Sequence, residues 1–295
     1  MARPMVDARL TKAAAWMMGS VISFSLIAIA ARNVEAVHDS FEVLTVRSAV
    51  GFCLVVIVGL MTGRLHEVST QRLSGHALRN IVHFTGQNLW FIAITLIPLA
   101  QVFAIEFTSP LWVILLSPLL LGERLTPLRL GAAALGFAGI LIVAQPGAES
   151  LNLGVLAAAG SAVAFAAVSI MTKRLTRGVS VIGILFWLTL MQFFFGLIGA
   201  GLDGHITWPT GQTLPWLVLI GVCGVAAHLS LTSALSLAPA GFVAPIDFLR
   251  LPLIAVIGAL FYAEPFDPFV LLGGIVIFAG ILLNIRAQMR LPATA

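Results

Sequence analysis

An internal repeat constrains this chain more than any other feature. The second half of the sequence matches the first without gaps at an offset of 141 residues. Matches between Leu or Ile residues arise by chance in an apolar chain, whereas matches between Gly, Pro and Glu in one register do not. Such matches join Gly19 to Gly160, Pro98 to Pro239, Glu123 to Glu264 and Pro127 to Pro268. The repeat therefore predicts two similar units, at residues 1–146 and 147–295.

The distribution of charge places both units in a membrane. Only 9% of the 295 residues are charged, whereas a soluble domain is about a quarter charged. No Lys, Arg, Asp or Glu occurs between Ile206 and Ile246, a run longer than the roughly 20 residues that cross a bilayer. We predict an all-α integral membrane protein with ten transmembrane helices, near residues 12–31, 40–62, 74–96, 99–121, 128–145, 152–173, 180–201, 212–236, 240–262 and 268–286.

The number of helices in each repeat predicts how the repeats are related. Five is odd, so the second repeat starts on the opposite side of the membrane, and the repeats are inverted as in many alternating-access transporters. With the N-terminus inside, thirteen Lys and Arg residues flank the inner helix ends and only Arg32 flanks an outer end. This bias predicts that both termini are cytoplasmic.

The basic residues follow the helix ends, so the net charge of +4 does not indicate a nucleic-acid partner. The expected partners are membrane lipid and a small-molecule substrate. Cys53 and Cys223 both fall in apolar segments, where a small buried side chain is the ordinary role of cysteine. We expect no disulfide, no metal site and no cofactor.

A polar stripe on the third predicted helix is the first candidate site. Within the apolar segment, Asn80, His83, Phe84, Gln87 and Phe91 share one face at about 100° per residue. Polar groups inside a bilayer are costly and face a partner helix or a water-filled path. Gln87 lies near the bilayer midplane, where inverted-repeat transporters bind substrate.

The repeat pairs Gln87 with His228, but it pairs Asn80 and His83 with Gly221 and Gly224. We therefore predict an asymmetric site, in which one repeat provides polar groups and the other provides room. His83 and His228 are also candidates for coupling transport to protons, because histidine titrates near neutral pH. The alternative for each histidine is a packing residue whose hydrogen bonds are satisfied.

Four charged residues lie within predicted helices. Arg47 and Glu106 are expected at a similar depth, ~12 Å below the outer surface at 1.5 Å per residue. Asp247, which pairs with Glu106 in the repeat, precedes Arg250 by three residues and so shares its helix face. These residues are candidates for gates or for binding a zwitterion, and the alternative is structural ion pairing.

Further candidates come in repeat-related pairs. Phe24 with Phe165, and Ser20 with Ser161, are candidate pocket residues on the first and sixth helices, because aromatic faces stack on flat groups. Prolines interrupt the fourth helix at Pro110 and Pro118 and the ninth at Pro245 and Pro252, and they are either hinges or fixed kinks. Glycines along the fifth and tenth helices predict close packing as a scaffold or a homo-oligomer contact.

The run from Pro110-Leu111-Trp112 to Leu121-Gly122-Glu123-Arg124-Leu125-Thr126, followed by the Gly-rich segment 136–143, resembles the EamA-type repeat of the drug/metabolite transporter superfamily. The second copy departs from it, because Gly-Glu-Arg-Leu-Thr becomes Ala-Glu-Pro-Phe-Asp. The chain is most similar to the YddG-type amino-acid exporters. This resemblance implies ten helices in two inverted repeats, a cavity between helices 1, 3, 4, 6, 8 and 9, and export across a bacterial inner membrane.

These observations together predict a transporter that exports amino acids, aromatic and others, and related metabolites by alternating access. An efflux transporter of other metabolites or drugs is the alternative within the same class. A membrane-embedded enzyme is less favoured, because the chain has no His-Glu-x-x-His and no Gly-x-Ser-x-Gly motif. A channel or a structural membrane protein is a third possibility, against which the paired prolines argue.

Overall fold

The computed structural model describes residues 3–109, 111–113, 115–116, 127–144, 152–202, 204–237, 246–247, 249–263 and 267–289. These residues form helices and their connections and contain no β-strand. Ten α-helices have defined bounds: α1 Arg3–Arg32, α2 Ser40–Met61, α3 Leu73–Leu96, α4 Leu99–Glu106, α5 Pro127–Ala144, α6 Leu153–Leu175, α7 Val181–Ala200, α8 Leu214–Leu237, α9 Arg250–Tyr262 and α10 Pro268–Met289.

The ten helices confirm the predicted fold class, with two differences in extent. Helix α1 begins at Arg3, nine residues before the predicted start. Helix α4 ends at Glu106 and is followed by a turn at Phe107 and Thr108, after which residues 111–113 and 115–116 are again helical. Much of the remainder of the predicted fourth helix, and the first part of the ninth, lie outside the described residues.

Local sequence signals begin several of the helices. Asp39 caps α2 by accepting a hydrogen bond from the Glu42 N–H at 2.8 Å, and the Glu42 carboxylate accepts one from the Asp39 N–H at 3.2 Å. Asn152 caps α6 and Ser180 caps α7 in the same way, each accepting from the N–H three residues on.

Five of the described helices, α1 from Arg9, α2, α6, α7 and α8, are long and apolar enough to cross a membrane. Large apolar side chains on their outer faces and on the shorter helices are open to the surroundings, among them Met61, Leu260 and Phe261, which are 82%, 74% and 74% exposed. Such exposure is costly in water and favourable in lipid. The chain is a multi-pass membrane protein.

Helix packing repeats the symmetry of the sequence. Helix α1 packs on α8 and its repeat partner α6 packs on α3, while α2 packs on α7, α4 on α9 and α5 on α10. Exchanging the two repeats maps each of these pairs onto another pair or onto itself. A two-fold axis between the repeats produces this pattern, and five helices per repeat place that axis in the membrane plane, as inversion predicts.

Single contacts obey the same symmetry. A methyl group added at Gly19 would lie 2.9 Å from the Ser230 Oγ, and one added at Gly160 would lie 3.0 Å from Leu89. Ser230 and Leu89 are themselves 141 residues apart. The two repeats therefore make equivalent helix contacts with residues that are not identical.

Helices α5 and α10 touch through their glycines. A Cβ at Gly139 would lie 2.8 Å from the Gly273 carbonyl oxygen, and one at Gly280 would lie 2.8 Å from the Ala132 carbonyl oxygen. The backbones approach this closely because Gly139 and Gly280 have no Cβ at the contact. The glycines thus serve packing within the chain, and a homo-oligomer through these two helices stays a prediction.

Candidate functional site

A cavity of about 160 Å³ lies between the two repeats. Its described lining comes from α1, α3, α4, α6, α8 and α9, as the resemblance implied, with one addition from α2. The described lining includes the aromatic, polar and charged residues Phe24, Arg47, Arg79, His83, Gln87, Trp90, Phe91, Phe103, Glu106, Phe165, Thr172, His228, Asp247 and Arg250.

A chain of hydrogen bonds joins three lining residues of this cavity through Gln192. With its amide oriented to satisfy both neighbours, Gln87 accepts a hydrogen bond from the Arg47 guanidinium and donates to the Gln192 Oε1 at 2.6 Å. Gln192 in turn donates from its Nε2 to the His83 Nδ1 at 2.7 Å. Because Nδ1 is the acceptor, the His83 proton lies on Nε2.

His228 joins this chain through ring contacts. Its ring is perpendicular to that of His83 at a centroid distance of 5.0 Å and meets the edge of Phe24 at 5.7 Å. The buried Nε2 of His228 has no hydrogen-bond partner among the described residues. A buried nitrogen of this kind is available to a ligand, since leaving it unpaired costs free energy.

Arg250 is the centre of a second cluster on the same cavity. Its guanidinium donates to the Glu106 carboxylate at 3.3 Å and to Asp247, and it is 5% exposed. The rings of Phe24, Phe103 and Phe107 surround it at 4.7, 5.4 and 5.1 Å, a geometry that adds cation–π attraction.

Trp90 fixes the other oxygen of Glu106. Its indole Nε1 donates to the Glu106 Oε2 at 2.9 Å, so that carboxylate is held by one cation and one neutral donor. The Asp247 Oδ1, by contrast, is buried without a partner among the described residues. The second cluster thus combines one guanidinium with two carboxylates and leaves one acceptor free.

Most of the predicted site residues lie on the cavity. The structure brings together Gln87, His228, His83, Phe24, Phe91 and Phe165 with the four charged residues Arg47, Glu106, Asp247 and Arg250. The four charged residues do not pair as their predicted depths suggested, since Arg47 and Glu106 were expected at a similar depth. Glu106 contacts Arg250 rather than Arg47, because α4 packs on α9, and Arg47 turns to Gln87.

Four predicted pocket residues lie elsewhere. Asn80 points to α7, where its amide donates to the Trp187 carbonyl oxygen at 3.1 Å, and Phe84 packs on Phe41 and Phe195. Ser20 and Ser161 are both fully buried beside the close α1–α8 and α6–α3 contacts. Helical periodicity gave each residue a direction but could not show which neighbouring helix occupies it.

Only one of the four predicted hinge prolines is among the described residues. Pro110, Pro118 and Pro245 lie outside the described residues. Pro252 lies in the first turn of α9, a position where a proline removes no helical hydrogen bond. A hinge role for the four prolines stays a prediction.

Residues of helix α2 occupy the space beside Gly221 and Gly224. A Cβ at Gly221 would lie 2.6 Å from the Val50 Cβ, and one at Gly224 would lie 2.7 Å from the Arg47 Nε. Helix α2 crosses α8 here, so the space left by these glycines holds the Arg47 side chain. The two repeats differ here as predicted, but the space at the glycines holds α2 and its Arg47 side chain.

Sequence reasoning missed two residues of the site. Arg79 was counted as a cytoplasmic flank, yet it is 3% exposed and lines the cavity. Gln192 was not considered, although it joins Gln87 to His83. Arg79, His83 and Gln87 follow each other at intervals of four residues, and this spacing is the signal that would have found Arg79.

The cavity reaches the last turns of α6 and α8, at Thr172 and Leu235. The opposite end is closed by contacts between the repeats. There the Tyr262 hydroxyl donates to the Ile29 carbonyl oxygen at 3.2 Å, and His38 contacts the Thr213 hydroxyl at 2.9 Å. In the predicted orientation the cavity faces the cytoplasmic half of the membrane.

Comparison with known proteins is consistent with this architecture. The model of the EamA-like transporter family matches residues 11–145 and again 152–286. A solved crystal structure superposes with a TM-score of 0.69 and 19% sequence identity, covering 96% of this chain and 99% of that one. At this identity the likeness shows the fold alone.

Curated relatives are named as transporters. The riboflavin transporter of Rhizobium johnstonii is 34% identical over 73% of this chain and 71% of its own length, and that of Vibrio cholerae is 31% identical over 84% of both. The S-adenosylmethionine uptake transporter of Rickettsia conorii is 27% identical over 93% of this chain and 92% of its own. With two family matches that together span nearly the whole sequence, this chain belongs to the EamA-like transporter family.

Proposed function

We propose that this transporter carries small metabolites with a flat ring and polar groups, foremost aromatic amino acids, across the bacterial inner membrane by alternating access. The cavity between the repeats is the observation that supports it. Aromatic rings from α1, α3, α4 and α6 surround a polar centre at His83, Gln87 and His228. A purely structural interior would leave neither a cavity of this kind nor unpaired buried nitrogen and oxygen atoms at its wall.

The lining matches the chemistry of such a substrate. Phe24 and Phe165 offer aromatic surface on opposite repeats, where a ring can stack or meet an edge. The free Nε2 of His228 and the free Oδ1 of Asp247 accept or donate hydrogen bonds that the substrate gives up when it leaves water. Few groups of fixed geometry are involved, so we expect a tolerant site that accepts several related compounds.

Alternating access follows from where the cavity ends. It reaches the last turns of α6 and α8, and at the other end the Tyr262–Ile29 and His38–Thr213 contacts join the two repeats. Transport requires these contacts to break while equivalent contacts form on the cytoplasmic side. The symmetry of the helix pairs provides for such an exchange between the repeats.

Amino-acid export is the specific form of this proposal. The Rickettsia relatives are named for uptake of S-adenosylmethionine, a compound that contains an amino-acid moiety and a flat purine. Direction in an alternating-access transporter is set by gradients and coupling, not by the fold alone. Export and uptake are therefore separate outcomes of one experiment.

Riboflavin is a second candidate substrate. Three relatives with more than 30% identity are named riboflavin transporters, and the aromatic lining suits the flat ring system of a flavin. Riboflavin is uncharged, however, and would leave the charged groups on the cavity without ligand partners. Direct comparison of substrates decides between the two.

The test is flux in liposomes containing the purified protein. We expect saturable, protein-dependent uptake of labelled tryptophan and phenylalanine, and weaker uptake of alanine, with riboflavin and S-adenosylmethionine measured beside them. Gln87→Ala and His228→Ala are expected to lower the flux while the protein remains folded by size-exclusion chromatography. Flux of riboflavin alone would overturn the amino-acid proposal, and no flux of any of the five compounds would overturn the ring-bearing substrate class.

Proton coupling is tested in the same vesicles. His83 and His228 face each other on the cavity, a position from which a histidine can exchange a proton with the substrate path. If they carry protons, an imposed pH gradient changes the rate of flux and drives accumulation. Flux that does not respond to the gradient assigns both histidines to substrate contact.

A further inference from the structure

Two guanidinium groups on the cavity have only neutral partners among the described residues. Arg79, which is 3% exposed, donates to the Thr172 Oγ1 at 3.2 Å and to the Asn80 Oδ1 at 2.9 Å. Arg47, part of whose surface faces the cavity, donates to the amide oxygen of Gln87. Neither side chain forms an ion pair in the described part of the chain, where the ion pairs join other residues.

The two groups line the same cavity, Arg47 through its contact with Gln87 and Arg79 about one turn before His83 on α3. Charge of one sign is thus concentrated on one part of the wall, beside His83 and Gln87. The contrast with Arg250 is informative, because that guanidinium has two carboxylates as partners. Burial alone therefore does not explain why Arg47 and Arg79 have none.

Burying a cation is costly unless an anion or several hydrogen bonds compensate it. Hydroxyl and amide oxygens offset part of this cost, but they do not cancel the repulsion between two like charges. An anion on the cavity side would do so, and charge-assisted hydrogen bonds from arginine to carboxylate or phosphate are among the strongest in proteins. The arrangement is that of an anion site whose anion comes from outside the chain.

We propose that Arg47 and Arg79 bind an anionic group of the substrate, a carboxylate or a phosphate, and that this group rather than an ammonium decides which ring-bearing compounds enter. The proposal rests on the proposed function, since it assumes that the cavity is the substrate site. It assigns the anion to the end of the cavity at Thr172 and the ring to the phenylalanines next to it.

Three indole compounds separate the two charges of an amino acid. Tryptophan has a carboxylate and an ammonium, indole-3-propionate has only the carboxylate, and tryptamine has only the ammonium. Binding to the purified protein is measured by thermal-shift and calorimetric titration, which do not depend on transport. We expect tryptophan and indole-3-propionate to bind at least tenfold more tightly than tryptamine.

A flavin pair distinguishes phosphate from carboxylate. Flavin mononucleotide differs from riboflavin by its phosphate, so tighter binding of the mononucleotide than of both riboflavin and indole-3-propionate identifies phosphate as the preferred anion. Tighter binding of indole-3-propionate than of the mononucleotide identifies carboxylate. Either order supports an anion site, whereas equal binding of riboflavin and the mononucleotide together with equal binding of the three indoles overturns it.

Variants tie the effect to the two arginines. Arg79→Gln and Arg47→Gln are expected to reduce the preference for the anionic ligand to less than about threefold, and Arg79→Lys is expected to restore part of it because the charge returns without the fork geometry. Arg177→Gln, an exposed position after α6, is the matched control and should keep the full preference. Preference unchanged in Arg79→Gln and Arg47→Gln overturns the assignment.

Failure of this proposal differs visibly from failure of the proposed function. If the three indoles bind alike and riboflavin binds like its mononucleotide, the ring-binding cavity stands and the anion site is wrong. If none of the indoles or flavins binds, the proposed function itself fails. Should a glutamine variant not fold, the lysine variant and the ligand series on the unaltered protein still decide the outcome.

Discussion

Arg250 shows at the scale of single residues how a charge is kept inside a membrane protein. Its guanidinium is held between Glu106 and Asp247 and is surrounded by three phenylalanine rings. The two carboxylates come from the two repeats, at positions that are 141 residues apart. This cluster therefore connects the repeats across the cavity, as a gate or a structural tie would.

A double-mutant cycle measures this connection. Glu106→Gln, Arg250→Gln and the double variant are compared by their free energies of unfolding in mixed micelles. We expect a coupling energy of about 1–3 kcal/mol, because removing one member leaves the other charge buried with fewer partners. The exposed Arg64–Glu67 pair is the control and should couple more weakly, and equal coupling in both pairs would contradict a buried tie.

Gln192 is the second residue whose role can be isolated. Among the described residues it alone bridges Gln87 and His83, so Gln192→Ala removes one hydrogen-bond partner from each of these two buried groups, at a cost of roughly 1–3 kcal/mol each. We expect a lower transition temperature and several-fold lower flux. Thr189→Val is a control on the same helix, because the Thr189 hydroxyl bonds only to carbonyls of its own helix. A loss of flux in the control equal to that in Gln192→Ala would assign the effect to α7 packing.

The sequence allowed some site residues to be predicted and not others, for identifiable reasons. Gln87 and His228 were found because polar residues in an apolar helix stand out and the repeat pairs them. Arg79 was missed because it lies within two turns of the start of α3, where the positive-inside rule counts arginine as a flank. Asn80 was placed on the cavity, but the neighbouring helix α7 offers its amide a carbonyl acceptor that no periodicity reveals.

At the scale of helices, contact between α2 and α8 positions the Arg47 side chain. Gly221 and Gly224 on α8 let α2 approach, so the arginine passes over a surface without Cβ atoms. The sequence predicted free space at these glycines, but it could not show that helix α2 fills that space. Apart from α1, α4 and α9, the described helix boundaries were predictable within a few residues because apolar length is local, whereas crossing contacts are not.

Gly224→Ala tests this positioning. The new Cβ would lie 2.7 Å from the Arg47 Nε, closer than any real contact, so the side chain must move. We expect several-fold weaker binding of tryptophan and reduced flux. Gly131→Ala on α5 has nothing within 4 Å of the new atom and should be neutral or slightly stabilising, as alanine is the better helix former. Unchanged binding in Gly224→Ala would show that Arg47 does not need this position.

At the scale of the whole molecule, two repeats related by a two-fold axis define the transporter. Exchanging the two repeats converts the α1–α8 contact into the α6–α3 contact. The same exchange maps each of the α2–α7, α4–α9 and α5–α10 contacts onto itself. The fold class was predictable from one offset and the parity of five helices. The orientation of the chain in the membrane, by contrast, is predicted only from the distribution of Lys and Arg at the helix ends.

Cysteine labelling in intact cells tests that direction. In a background without Cys53 and Cys223, Gly211→Cys before α8 is expected to react with an impermeant maleimide from outside. Gln71→Cys before α3 is expected to react only after the membrane is permeabilised. Both positions are exposed in the structure, so access to the side chain is not the limit. The reverse pattern would place both termini outside and turn the cavity toward the periplasm.

The paired contacts at Gly19 with Ser230 and Gly160 with Leu89 have a consequence for the energetics of the transport cycle. If the repeats exchange conformations during that cycle, each such contact is lost on one side while its counterpart in the other repeat forms on the other side. Where the contacting residues are identical in both repeats, the exchange contributes almost nothing to the energy difference between the two end states, whereas these two contacts differ because Ser230 corresponds to Leu89. That difference then comes from positions where the repeats disagree, such as Gln87 and His228, or Arg250 and Ser109. The residues proposed to bind the substrate are thereby among those that set the resting preference of the transporter.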